Sequence, residues 1–349
     1  DGREWEQVEV PAPDDPYTTE QMSQVVAVGS GLIAHGYVQS IHGSALWLSP
    51  DGYRWQRVPA SALGDPEDDA EIKAMVAGGP GVVAVGSVVH PDGGPRVGAI
   101  WVSETGWSWE RIAHDGAVFG DPQSVMGWAD GEISEVVVFD PGVVALGHIN
   151  GEMSLLRSAD GYQWERVPLG PAPFGDLAWR IGDIAAGGPG LVAVGGIADP
   201  TEGEWASDAA IWVSSDGIAW DRVPHSERLF GGPECQGIKT LVVGGPGLVA
   251  FGATDLCSLD DVPEGTNRVW ITADGYTWEL VPHDDYLFGD GSLGWQQAIN
   301  DAVVHDGRII AVGQWSRLTL IDESAPPRHN NVDDLSWGGR VWIATPIDD

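Results

Sequence analysis

The sequence predicts an all-β protein: a six-bladed β-propeller of four-stranded antiparallel blades. A phrase with the pattern Ser/Thr-x-Asp-Gly-x-x-Trp recurs along the chain, and its tryptophans stand at positions 5, 55, 109, 164, 220 and 278. Their spacing of roughly 50 to 58 residues is typical of one propeller blade. The apolar stretches are short and β-branched and alternate with turns rich in Gly, Asp and Pro, which favours strands throughout.

Each repeat predicts four strands in the same order. In a phrase such as residues 76–86, Pro-Gly between two β-branched runs joins the first strand to the second. A third strand follows, and the Asp-Gly turn then leads to a short fourth strand. The third strand carries a tryptophan near its end, namely Trp47, Trp101, Trp212, Trp270 or Trp342, with Leu156 in the remaining repeat.

The two ends of the chain predict how the ring closes. The last repeat stops after its third strand, whereas the chain begins with an isolated fourth strand at residues 1–10. We therefore expect residues 1–10 to complete the blade formed by residues 295–346 and to leave no free sheet edge. Because a repeat array buries its core between neighbouring repeats, residues 1–349 are predicted to form a single domain.

The recurring turn phrase resembles the Asp-box, or BNR repeat, of sialidase-like β-propellers. The resemblance extends over essentially the whole chain, although the phrase is one residue shorter here and one copy has Thr105 in place of the aspartate. It implies a structural role, in which the Ser and Asp side chains bond backbone amides of the turn and the tryptophan packs in the blade. The aspartates concerned are Asp1, Asp51, Asp160, Asp216 and Asp274.

The charge balance argues against several classes of partner. Asp and Glu number 52 against 17 Lys and Arg, so the net charge is -35. Such a charge repels phosphate backbones and anionic membranes, and we expect no nucleic-acid partner.

No apolar run approaches the roughly 20 residues of a transmembrane helix. We expect a monomer, secreted or tethered at the cell surface after removal of an export signal.

Six tryptophans that the repeat pattern does not explain fall on one predicted face, opposite the Asp-Gly turns. The connections from a fourth strand to the next first strand, and from a second strand to a third, are expected to emerge at this face. Exposed indoles on this face could stack on the sugar rings of a glycan or on a protein partner, whereas buried ones would only fill the tops of adjacent blades. The residues before the first strands are Trp128, Trp179 and Trp295, and those in second-to-third connections are Trp205, Trp315 and Trp337.

The same face carries long acidic insertions and both cysteines. The insertions could hold a calcium ion, but no Asp-x-Asp-x-Asp-Gly spacing is present, and no other cofactor is expected. Cys235 and Cys257 are predicted in one blade. A disulfide between them would indicate an oxidising compartment, and two buried free thiols are the alternative.

Alignment of the six first strands places the only two lysines, Lys73 and Lys239, in one register near the predicted central channel. Other repeats have carboxylates one position further on: Glu135, Asp183 and Asp301. Together with Arg180 on the same face, these lysines could bind an anionic ligand. Alternatively, they neutralise the carboxylates of the channel itself.

Three functional hypotheses follow from these residues. The first, which the sequence favours, is a binding module whose tryptophan-rich face takes a glycan or a protein. The second is a glycoside hydrolase or lyase that uses two of the carboxylates Glu135, Asp183 and Asp301. The third is a structural ring in a larger extracellular assembly. Sialidase activity is not expected, because the arginine triad and tyrosine nucleophile that the resemblance would imply cannot be identified.

Overall fold

The structure is a computed structural model. It describes residues 20–38, 43–64, 69–89, 96–120, 131–150, 152–167, 178–198, 207–232, 235–245, 247–255, 266–282, 295–305, 308–320 and 332–344. The described residues confirm the all-β prediction, because they form six antiparallel sheets and only three single-turn helices. None of these helices is long and apolar enough to cross a membrane.

The chain divides into two compact units, residues 1–169 (unit 1) and residues 170–349 (unit 2). Unit 1 contains three sheets, in each of which consecutive strands pair with one another. The first sheet consists of β1 (Glu20–Val28), β2 (Gly31–Val38), β3 (Gly43–Ser49) and β4 (Gln56–Arg57). The second consists of β5 (Asp69–Gly78), β6 (Gly81–Val89), β7 (Val97–Ser103) and β8 (Glu110–Arg111). The third consists of β9 (Glu132–Phe139), β10 (Gly142–Ile149), β11 (Glu152–Ser158) and β12 (Glu165–Val167).

Unit 2 repeats this arrangement. Its first sheet consists of β13 (Ala178–Gly187), β14 (Gly190–Ala198), β15 (Ser207–Ser214) and β16 (Asp221–Arg222). Its second consists of β17 (Cys235–Gly244), β18 (Gly247–Asp255), β19 (Thr266–Thr272) and β20 (Glu279–Leu280). Its third consists of β21 (Trp295–His305), β22 (Arg308–Leu320) and β23 (Val332–Ala344), with no fourth strand among the described residues. Residues 1–10, expected to supply that strand, lie outside the described residues, so ring closure and the single domain stay predictions.

The core of each unit lies between neighbouring sheets, as expected when apolar side chains alternate to both faces of a strand. In unit 1, Ile33 of β2 and Leu46 of β3 belong to one buried cluster with Trp101 of β7. In unit 2, Val213 of β15 and Trp270 of β19 share another such cluster. Within each unit, neighbouring sheets therefore share buried apolar side chains.

Short helical turns lie between a fourth strand and the following first strand. They are a 3-10 turn (Ala60–Leu63), α1 (Gly116–Phe119) and α2 (Glu227–Phe230). A buried indole N–H needs an acceptor, and these turns provide it: Trp101 Nε1 donates to the carbonyl of Leu63 at 2.9 Å, and Trp270 Nε1 donates to that of Leu229 at 2.7 Å. Trp101 and Trp270 thus anchor the connections that precede their sheets.

The recurring Asp-Gly turn is closed by its own side chains. In the copy after β15, Ser214 Oγ accepts a hydrogen bond from the amide of Gly217, and Asp216 Oδ1 accepts from the amides of Ile218 and Ala219, all at 2.8 Å. Backbone donors of this kind lower the pKa of the aspartates at positions 51, 160, 216 and 274, reaching about 2 for Asp51 and Asp274. Asp1 lies outside the described residues.

The β22–β23 hairpin is longer than the sequence analysis predicts. Trp315 and Trp337 were expected in the connection between second and third strands, but both lie within paired strands, Trp315 opposite Gly338 and Trp337 opposite Ser316. Residues 315–320 contain no Gly, Pro, Asn or Asp and continue the ladder with residues 332–337, so the connection begins only after Leu320.

Candidate functional site

A β-bulge interrupts each of the six first strands that the structure describes, always at the same register. A bulge inserts one extra residue against the partner strand and changes the direction of nearby side chains. At this shared register the inserted residues are Ser23, Lys73, Ser134, Gly182, Lys239 and Asn300, and β13 has a second irregularity at Trp179. The residues that follow them are Gln24, Ala74, Glu135, Asp183, Thr240 and Asp301. The lysines and carboxylates that the sequence analysis singled out therefore lie at or next to a β-bulge that recurs in each described first strand.

Asp183 joins the first strands of two neighbouring sheets in unit 2. Its Oδ2 accepts from the amide of Leu241 at 2.8 Å and from Thr240 Oγ1 at 3.3 Å, and its Oδ1 accepts from the amide of Ile184 at 2.7 Å. In unit 1, Gln24 Oε1 accepts from the amide of Met75 at 2.7 Å, which is the equivalent bond. A side chain at this position thus braces one first strand against the next.

Gly182 allows this close approach of β13 and β17. A Cβ at position 182 would lie 3.0 Å from the Cα of Lys239 and would also collide with the carbonyl oxygen of Ile238. The backbone of Lys239 consequently lies directly beside the residue that precedes Asp183. We call residues 182–183, 239–240 and 300–301 the unit 2 bulge site.

The two carboxylates of the unit 2 bulge site have different environments. Burial raises the pKa of Asp183 to about 7, although three hydrogen bonds lower it, and the charge of Asp301 raises it further. Asp301 is exposed; its Oδ1 accepts from the amide of Ala302 at 2.8 Å, and partial desolvation raises its pKa. The site therefore combines a carboxyl group with a pKa of about 7 and an exposed one whose pKa is also raised.

In unit 1, Lys73 belongs to a compact charge cluster. Its Nζ lies 2.7 Å from Glu71 Oε1 and 3.3 Å from Glu132 Oε2. Arg96 Nη1 lies 2.5 Å from Glu71 Oε2 and 3.3 Å from Glu132 Oε2, and it donates to Ser87 Oγ at 2.9 Å. Burial raises the pKa of Glu71, but hydrogen bonds from Lys73 and Arg96 outweigh it, so the pKa is lowered. Two cations and two carboxylates thus compensate each other here.

Lys239 has the register of Lys73 but a different environment. It is exposed and makes no ion pair with any described residue. The positions equivalent to Glu71 and Glu132 hold Gly237 and Ala298. The two lysines belong to different units, and their common position near a central channel stays a prediction.

The remaining candidates are placed only in part. Glu135 is half-buried at the bulge of β9, Trp179 and Arg180 lie within β13, and Trp295 begins β21. Trp128, Trp205 and Cys257 lie outside the described residues, so the disulfide from Cys235, at the start of β17, stays a prediction. Most of the acidic insertions lie outside them too, and within the described ranges no group of three or more His, Cys, Asp or Glu residues could hold a metal ion.

Sequence reasoning missed the partners of Lys73 and the bulges themselves. Glu71 is two residues from Lys73, and residues at this spacing lie on the same face of a regular strand. This spacing is a sequence signal for the Glu71–Lys73 pair. Glu132 and Arg96 come from other strands, and Thr240 reaches Asp183 only through sheet packing. The sequence has no local signal for these contacts.

No protein-family model matches the chain, and no curated protein matches it. Similar solved structures include a glycoside hydrolase at 12% identity with a TM-score of 0.38, covering 97% of this chain and 90% of that one. They also include the GH74 xyloglucanase from Xanthomonas campestris (17%, TM-score 0.45, 86% and 45% covered) and the α-L-arabinanase of Penicillium chrysogenum complexed with arabinobiose (12%, 0.39, 60% and 61%). This chain thus spans 45% of the xyloglucanase and 61% of the arabinanase. With all three TM-scores below 0.5, these similarities assign neither a function nor a site.

Proposed function

We propose that this chain is a β-propeller that binds a glycan at the unit 2 bulge site and hydrolyses a glycosidic bond with Asp183 and Asp301. The observation that carries the proposal is the recurrence of a carboxylate at one bulge register in two first strands of the same unit, close enough for their charges to interact. Glycoside hydrolysis needs such a pair, one group to donate a proton and one to act on water or on the sugar.

Asp183 suits the role of proton donor. A carboxylate has about four lone-pair positions, of which the amides of Leu241 and Ile184 and the hydroxyl of Thr240 occupy three. The remaining one is on Oδ1, where a proton can be held and donated. With a pKa of about 7, a substantial fraction of Asp183 carries this proton at neutral pH.

Asp301 suits the role of base. Its Oδ1 accepts the amide of Ala302, and no described residue pairs with its Oδ2. In the reaction, Asp301 removes a proton from water, the water oxygen bonds to the anomeric carbon, and the bond from that carbon to the glycosidic oxygen breaks. Asp183 donates its proton to the departing oxygen, and both groups recover their protonation states by exchange with solvent.

The position of two tryptophans supports a sugar as the ligand. Trp179 and Trp295 lie on β13 and β21, the strands that carry Asp183 and Asp301, and both precede the bulge. Indoles stack well on the apolar faces of sugar rings. The predicted ring closure by residues 1–10 and an extracellular location belong to the same proposal.

The proposal is tested by reducing-end release from a panel of plant and microbial polysaccharides. Asp301→Asn is the decisive variant, because among the described residues Asp301 bonds only its neighbouring amide and braces no second strand. We expect the rate to fall by about 100-fold or more, and Asp221→Asn, an exposed carboxylate on β16, to leave it unchanged. The wild-type rate should decline above a pH of about 7, as Asp183 loses its proton. Equal rates in Asp301→Asn and wild type would overturn the assignment.

Glycan binding without catalysis is the second candidate. It is favoured by the equivalence of Asp183 and Gln24, because Gln24 makes the same bond to the next strand and an amide cannot donate a proton as an acid does. Saturable sugar binding with no reducing ends released from any polysaccharide would select this candidate over hydrolysis.

A further inference from the structure

The two lysines of this chain offer an internal comparison. Lys73 and Lys239 are the inserted residues of the same bulge in two different sheets, so the backbone gives them equivalent positions. Lys73 is compensated by Glu71 and Glu132. Lys239 is exposed and has no ion-pair partner among the described residues. The difference lies in the neighbouring residues and not in the fold.

The two positions that hold glutamates around Lys73 hold other residues around Lys239. Gly237 stands where Glu71 stands in unit 1, and Ala298 stands where Glu132 stands. Both replacements remove a carboxylate in a chain with 52 acidic residues and only 17 Lys and Arg. Among the described residues, neither of these two positions therefore provides a carboxylate that neutralises Lys239.

Lys239 is also next to the groups proposed to act on the glycan. Its Cα would lie 3.0 Å from a Cβ at Gly182, the residue before Asp183. The following residue, Thr240, donates to Asp183 Oδ2 at 3.3 Å. The backbone of Lys239 therefore lies within the site proposed for the scissile bond.

We infer that Lys239 is the anion-binding group of the unit 2 bulge site and that the glycan carries an acidic sugar, a uronic acid carboxylate, which Lys239 recognises. This inference rests on the proposed glycan function. A single ammonium group compensates one negative charge. The net charge of -35 repels a polyanion, which is therefore disfavoured as a ligand. A single carboxylate in contact with Lys239 lies well within the Debye length of about 10 Å, so salt screens this charge pair only weakly.

The probes are oligosaccharides with one glucuronic or galacturonic acid, each paired with its counterpart in which the carboxyl is reduced to an alcohol. A sulfated counterpart distinguishes a carboxylate from another anion. Binding is measured by calorimetric titration, so the readout does not depend on turnover. We expect wild type to bind at least one uronic probe about tenfold more tightly than its reduced form, and more tightly than its sulfated form.

Four variants locate that preference. Lys239→Met should abolish it, and Lys239→Arg should keep most of it. Lys73→Met removes a lysine of equal register and should leave the preference intact. Gly237→Glu reproduces the position of Glu71 and should pair with Lys239 and abolish the preference. A side chain fits at Gly237, because nothing lies within 4 Å of a Cβ there.

The outcomes separate this inference from the proposed function. If wild type binds charged and reduced probes equally, or if Lys239→Met keeps the preference, the inference is wrong and glycan binding stands. A preference that Lys73→Met also abolishes contradicts the assignment to Lys239. A preference for the sulfated form contradicts recognition of a carboxylate. If no probe binds, charged or neutral, the proposed function fails and the inference fails with it.

Discussion

Val138 of β9 packs against Gly78 at the end of β5 so closely that a Cβ on Gly78 would lie 2.5 Å from Cγ2 of Val138. In unit 2 the same contact joins Gly187 to Val243, and Gly244 to Val304. In each case the glycine ends a first strand and the valine lies in the first strand of the next sheet. The first glycine of the Gly-Gly-Pro-Gly phrase is thus required by packing between sheets and not only by the turn.

We expect Gly78→Ala to destabilise the protein by about 1 kcal/mol, because the added methyl group must displace the side chain of Val138, which is 40% exposed. Urea denaturation gives the free energy of unfolding. The control is Gly237→Ala, also in a first strand, where a Cβ meets nothing within 4 Å. Equal losses in the two variants would contradict a packing role for Gly78.

Thr105 interrupts the recurring turn of the second sheet, and Asp should improve it. The amide of Trp107 reaches Thr105 Oγ1 only at 3.4 Å, whereas Asp216 accepts two amides at 2.8 Å in its copy of the turn. Thr105→Asp should therefore raise the free energy of unfolding by up to about 1 kcal/mol. Thermal and urea unfolding check the sign, with Thr105→Ala as the opposite substitution. A lower midpoint for Thr105→Asp would mean that charge repulsion exceeds the gained hydrogen bonds.

Sequence patterns predict the strand order and the recurring turn well, because period-2 alternation and Asp-Gly or Pro-Gly turns are local signals. They do not predict the bulges. In β5, Ile72, Ala74 and Met75 are all buried, but a strand packed on both faces also has consecutive apolar residues, so the inserted Lys73 leaves no distinct pattern. The pairing of Lys73 with Glu132 depends on how β9 packs on β5, which the sequence does not encode locally.

The tryptophans of β13 and β21 should report sugar binding directly. A sugar stacked on an indole changes its emission, so we expect a saturable fluorescence change with a bound oligosaccharide. The double variant Trp179→Ala, Trp295→Ala should lose this change. Trp107→Ala is the matched control, since Trp107 is 47% exposed but lies on the turn at Thr105 and Gly106, outside the proposed site. A response that the double variant retains would exclude these two residues as the stacking platform.

Cys235 and Cys257 are the only cysteines, and we expect them to form a disulfide. Alkylation with and without prior reduction, followed by intact-mass measurement, detects it. Because the bond would close a loop of about 20 residues, Cys235→Ser should cost roughly 3 kcal/mol of stability. Alkylation of both thiols in the unreduced protein would contradict the disulfide and, with it, the argument for an oxidising compartment.

The buried His35 of β2 should make the folded protein less stable at acidic pH. The side chain is 2% exposed, and neither ring nitrogen has a hydrogen-bond partner among the described residues. Burial lowers the pKa of His35 from 6.5 to about 4. As the pH falls below 6.5, the unfolded chain therefore binds a proton that the folded chain excludes, and the free energy of unfolding decreases until the folded pKa is reached.

Across that interval the loss attributable to His35 should be about 3 kcal/mol, because one pKa unit corresponds to about 1.4 kcal/mol. The matched variant is His35→Leu, since Leu146 occupies the equivalent register opposite the bulge of β9. Urea denaturation of both proteins at several pH values isolates the effect, because carboxylates that titrate in the same range are common to both. We expect the stability of His35→Leu relative to wild type to rise as the pH is lowered from 6.5 to 4. A difference that does not change with pH would show that His35 is protonated equally easily in the folded and unfolded chains.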